Sequence, residues 1–137
     1  MSSFRVGQSH SIGAAIEPDD VVRFAELSGD SAPLHTDAAF AQAAGFEGPL
    51  VHGAFLVALV SRLVGMEFPG PKAVLERVDV AFRRACYAPC QVTLTATVKQ
   101  ISEAVATIML EVVISGADGS VVASGKTWHR ILGAEHP

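Results

Sequence analysis

The sequence predicts an α+β fold in which an antiparallel sheet wraps round one long apolar helix. Three observations predict it. The apolar residues recur at a helical spacing in the first half and at every second position after residue 71. One stretch, GPLVHGAFLVALVSRLVGM (48–66), is apolar almost throughout. Short turns join two of the alternating runs to their neighbours, which makes those pairs antiparallel. The chain has 137 residues, 50 % apolar and 18 % charged, which is one domain (1–137) with enough apolar surface to offset its ordering entropy.

The elements follow in order. Residues 11–16 read as a short strand. Pro18-Asp19-Asp20 opens a helix, with proline and acids in its first turn. Val21, Val22, Phe24, Ala25 and Leu27 give it an apolar face up to Gly29. Residues 30–36 form a loop stiffened by Pro33. Asp37 caps a short helix, AAFAQAA, that stops at Gly45. The long helix covers 52–64 and ends at Gly65, and Pro69-Gly70-Pro71 forces a turn. Strands are expected at 73–83, 92–99, 107–115 and 121–131, with Gly116-Ala117-Asp118-Gly119 as a hairpin turn. These four strands are expected to form one antiparallel meander.

Composition excludes several classes. Ten Lys plus Arg against 14 Asp plus Glu give a net charge of −4, and there is no basic block, which argues against nucleic acid. The apolar stretch carries His52, Ser61 and Arg62, so it reads as a buried helix and no membrane span is expected. The N-terminus lacks the pattern of a secretory signal, so a cytoplasmic protein is expected. Cys86 and Cys90 have no second pair to complete a zinc site. They read as reduced cysteines, and no metal is expected. The apolar excess of so small a domain points to a partner subunit or to a cavity for an apolar ligand.

Few polar residues remain to carry chemistry. Asp30 and His35 share the loop SGDSAPLHTD, where a carboxylate and an imidazole could divide acid and base work. The same spacing also suits an Asp that closes a turn and a His that merely follows it. His52-Gly53 starts the long helix. Its free N–H groups could hold an oxygen gaining negative charge, and Gly53 has no side chain to obstruct one. For His52 the alternative is capping or packing. Ser61 lacks a nucleophile elbow and reads as a hydroxyl bonded back to its own helix. Arg83-Arg84 reads as a solvated strand end, with an anion site as the alternative.

The segments FAELSGDSAPLHTD, GFEGPLVHGAFLVALVSRLVG and FPGP, in that order and spacing, resemble the MaoC-like hydratase and dehydratase family. The resemblance runs from about residue 24 to 71 and is nearest to the short, single-domain (R)-specific enoyl-CoA hydratases. It implies a hot-dog fold and a homodimer whose two sheets join. It implies an acyl thioester substrate on coenzyme A or on the phosphopantetheine of an acyl carrier protein, with no other cofactor. It puts the family's catalytic pair on Asp30 and His35 and its oxyanion contact on the N–H of Gly53. Asp30 would take a proton from the attacking water, and His35 would position that water and protonate C2. Ser61 would support the site. Two positions depart from the family pattern: Ala32 replaces an Asn and Ala54 replaces a Met, the latter implying a roomier acyl pocket. Dehydration of a carrier-bound 3-hydroxyacyl or polyketide intermediate, non-catalytic thioester binding, and thioester hydrolysis on the same fold remain the alternatives.

Overall fold

A computed structural model describes residues 3–133. The order of elements is β1 (Ser9–Ile16), α1 (Pro18–Ser28), α2 (Pro33–Thr36), α3 (Ala38–Ala43), α4 (Gly53–Arg62), β2 (Ala73–Phe82), β3 (Cys90–Ser102), β4 (Thr107–Gly116) and β5 (Val121–Ile131). The strands form one five-stranded antiparallel sheet in the order β1-β3-β4-β5-β2. The sheet and its central helix give the α+β hot-dog architecture. No helix among the described residues is long and apolar enough to cross a membrane.

Local chemistry accounts for the helices near the site. In α1, Pro18 takes the first turn and the Glu17 N–H donates to Asp20 Oδ2 at 2.8 Å. The helix stops at Gly29, whose φ of 79° is left-handed and whose N–H donates to the Ala25 carbonyl. Asp37 caps α3 by accepting from the Phe40 N–H at 3.2 Å. Leu56 and Val60 of α4 are buried, and they join Leu94, Val98, Leu110, Val112 and Ile114 of the sheet in one core.

The expected strand order and the expected end of the long helix need correction. The four-stranded meander is in fact three strands, β3-β4-β5. β2 pairs with β5 at one edge, and β1 pairs with β3 at the other. The short turns require only the two hairpins, and the longer link 83–89 leaves β2 free to lie elsewhere. Nor does the long helix end at Gly65. Its last turn widens into a π-helical turn, Leu63–Glu67, closed by the Phe68 N–H on the Leu63 carbonyl at 2.9 Å. The wider turn belongs to a segment in which Leu63, Val64 and Phe68 are all buried.

β5 also buries a histidine that takes no part in the site. His129 Nε2 lies 2.7 Å from the Thr127 hydroxyl, and burial pushes the imidazole from 6.5 down to about 4. The folded state therefore holds this ring neutral while the unfolded chain protonates it near pH 6.5. Stability is full above that value, falls between pH 6.5 and 4, and levels off below. The loss attributable to this ring is up to about 3 kcal/mol. Urea unfolding at pH 7 and pH 4.5 should show a smaller difference for His129→Gln than for the parent; equal differences would exclude His129 as the cause.

Candidate active site

Asp30 stands just past the left-handed end of α1 and is exposed. Its N–H donates to the Ser28 hydroxyl at 3.1 Å, and its Oδ1 accepts from the Ala32 N–H at 3.2 Å. Pro33 then starts the four-residue helix α2, where a loop was expected, and this short turn presents His35. The Thr36 hydroxyl donates to the Ala32 carbonyl at 3.1 Å and ties the turn shut.

The two histidines are held by main-chain carbonyls. His35 Nδ1 lies 2.8 Å from the Leu50 carbonyl. A carbonyl only accepts, so Nδ1 carries a proton and Nε2 is left as the atom that exchanges protons. His52 is 1 % exposed, and its Nε2–H donates to the main-chain carbonyl of Asp30 at 2.9 Å. The His35 and His52 rings stack with centroids 3.9 Å apart and planes 20° from parallel, and Phe24 meets His52 edge-on at 4.9 Å. His52 therefore positions Asp30 through its backbone, from inside the protein. Its Nδ1 is buried without a hydrogen-bond partner among the described residues.

Asp30, His35 and His52 each offer one atom within 4.8 Å of the other two. The arrangement does not suit a metal ion. A coordinating nitrogen needs the ion about 2 Å away in its own ring plane, and two stacked rings cannot both meet that requirement. An exposed carboxylate beside a half-buried imidazole does suit a water molecule held between them.

Gly53 opens α4 next to this group. Its N–H is one of the helix's first donors and finds no acceptor within the helix. Gly53, His35, Leu56, Phe82, Arg84 and Cys86 line a common cavity of about 250 Å³. A Cβ on Gly53 would lie 2.7 Å from the Phe82 ring, so glycine is what lets that ring close the cavity wall. The structure thus brings Asp30, His35, His52 and the Gly53 N–H together. Ala54 and Ser61 are not part of this group. Both are exposed on the outer face of α4, and Ser61 stands about 12 Å along the helix from Gly53. Within one chain Ala54 does not shape the cavity; Phe82 and Leu56 do. The carbonyls of Leu50 and Cys86, the latter accepting from the Val51 N–H at 2.8 Å, were not foreseen, because a main-chain acceptor leaves no mark on residue type.

The chain is 32 % identical over 126 residues to the (R)-specific enoyl-CoA hydratase of Aeromonas caviae, covering 90 % of this chain and 92 % of that one. It is 36 % identical over 78 residues to the 3-hydroxybutyryl-CoA dehydratase of Methylorubrum extorquens, covering 57 % of this chain and 50 % of that one. The solved structure of the (R)-hydratase from A. caviae involved in PHA biosynthesis superposes with a TM-score of 0.90 at 30 % identity, over 96 % of this chain and 99 % of that one. Residues 5–117 match the MaoC-like domain, and on that match and the A. caviae likeness the chain belongs to the MaoC-like family.

Proposed function

We propose that this protein hydrates trans-2-enoyl thioesters to (R)-3-hydroxyacyl thioesters and catalyses the reverse dehydration. The observation that carries the reading is that His35 stands within reach of the Asp30 carboxylate and lines one cavity with Gly53, whose N–H has no acceptor within its helix. The thioester carbonyl would accept from the Gly53 N–H, at the positive end of the α4 dipole, and so draw charge away from C3. Water held between Asp30 and His35 Nε2 attacks C3 and gives a proton to the Asp30 carboxylate. Protonated His35 delivers the Nε2 proton to C2. Proton transfer from Asp30 back to His35 restores the starting state, so one water is added overall. Nδ1 of His35 donates to Leu50 throughout. The thioester handle, coenzyme A or the phosphopantetheine of an acyl carrier protein, arrives as part of the substrate.

The same proposal includes a homodimer and a cytoplasmic location. Support for the dimer comes from the β2 edge, where Val74, Val78 and Phe82 are exposed, and from the exposed small residues Ala54, Ala58 and Ser61 of α4. An unpaired edge strand of this kind favours pairing with a second copy. Sedimentation at micromolar concentration should give twice the chain mass, and a monomer would refute the dimer.

The activity is tested by mixing the protein with crotonyl-CoA and longer trans-2-enoyl-CoAs and following loss of the enoyl absorbance. Turnover is expected, and Asp30→Asn and His35→Ala should each lower it by about 10²-fold or more. Turnover of carrier-bound substrates alone would move the substrate handle from coenzyme A to an acyl carrier protein. Binding without turnover on either carrier would overturn the enzymatic reading.

A further inference from the structure

Cys86 and Cys90 are free thiols whose sulfurs lie 3.5 Å apart. The proposed chemistry uses neither. Cys86 is buried in the link between β2 and β3 and lines the cavity shared by His35 and Gly53. Cys90 is half-buried and is the first residue of β3, held by pairing with Ile16 of β1. We propose that these two cysteines form an oxidant-responsive dithiol that closes to an intrachain disulfide and thereby shifts the cavity wall.

The geometry fits the closure. A disulfide needs its sulfurs about 2 Å apart, so the pair must approach by roughly 1.5 Å. Cys90 is anchored in the sheet, so the link carrying Cys86 is the part that moves. That link is bonded to the site, because the Cys86 carbonyl accepts from the Val51 N–H and Val51 directly precedes His52-Gly53. Closure therefore pulls on the chain segment that sets the Gly53 N–H.

Peroxide is a sufficient oxidant. Cys90, the more exposed sulfur, attacks as its thiolate, forming an S–O bond while the O–O bond breaks and water leaves. Cys86 then displaces the oxygen of that sulfenic acid, forming the S–S bond, and its proton leaves with the hydroxyl as a second water. Two thiols are oxidised and one peroxide is reduced. The order of attack follows from burial, which pushes the Cys86 thiol up to about 12 and makes it the weaker first nucleophile. A small dithiol returns the pair to thiols by exchange.

The test treats the full-length protein with hydrogen peroxide, blocks remaining thiols with iodoacetamide and weighs the tryptic peptide 85–99, which contains both cysteines. The peptide should be two hydrogens lighter and unalkylated, and dithiothreitol treatment before blocking should restore double alkylation. Cys90→Ser should leave Cys86 alkylatable after the same treatment. Hydrogen exchange at the Val51 amide should quicken several-fold in the cross-linked parent and stay unchanged in peroxide-treated Cys90→Ser. Hydration rate, measured on the same samples, should fall about ten-fold and recover with dithiothreitol; this arm alone rests on the hydratase reading. Double alkylation after peroxide, or sulfinic acid without a cross-link, would overturn the dithiol. A cross-linked protein with unchanged Val51 exchange would overturn its coupling to the cavity.

Discussion

Asp30→Asn is expected to lower kcat for enoyl-thioester hydration by about 10²- to 10⁴-fold, the usual worth of a positioned general base. The substitution isolates basicity from structure. The Asn side-chain oxygen still accepts from the Ala32 N–H, and the His52 contact goes to the main-chain carbonyl of residue 30, which is unchanged. The side chain is exposed, so no packing is lost. Steady-state kinetics and a thermal melt on the same preparation check the pair of expectations: a large fall in kcat with an unmoved Tm. A rate within ten-fold of the parent would place the base elsewhere. His35→Ala is the less clean partner experiment, because it also removes the stack on His52 and the bond to Leu50.

Gly125→Ala is expected to destabilise the fold by about 2–4 kcal/mol, as overpacking against fixed atoms does. Gly125 of β5 faces Val80 of β2 in the sheet register. A methyl group there would run into the Asp79 carbonyl oxygen and would come within 2.7 Å of the Val80 Cα. These are backbone atoms, so no side-chain rotation relieves the clash, and β2 must move off β5. That displacement would carry away Phe82, which walls the cavity, and would spoil the edge offered to a second copy. Urea unfolding should show the lost stability, and amide exchange should quicken across residues 73–82. Parent-like stability with β2 still protected would show that the strands absorb the methyl group.

The different fates of particular residues show what kinds of feature a sequence displays. The helices announce themselves through Pro18, Asp37 and the glycines at 29 and 45, because capping is local chemistry. Asp30, His35 and Gly53 could be named in advance because their motifs resemble a family's. The place of β2 could not, since pairing with β5 depends on contacts between residues nearly fifty positions apart. For His52 a contact to the substrate and a packing role were both open, and its ring is buried and acts on the backbone of Asp30. Residue type cannot separate these roles, because both need an imidazole at the helix start. Ala54 and Ser61 were expected at the site from their motif positions, whereas the pitch of α4 turns them to its outer face. Gly53 and Leu56, three residues apart, share the inner one.

The contact between His35 and the Leu50 carbonyl bears on how this site tolerates mutation. The acceptor belongs to the main chain, so drift in the side chain at position 50 leaves the imidazole's orientation intact. A further main-chain bond, from the Leu50 N–H to the Leu34 carbonyl at 3.0 Å, fixes the same stretch against the α2 turn. Insertions and deletions are another matter. A single-residue change in the loop leading to Leu50 would slide a different carbonyl under the ring or none at all. The selection that maintains proton transfer here should therefore act on the length of that loop more stringently than on its composition.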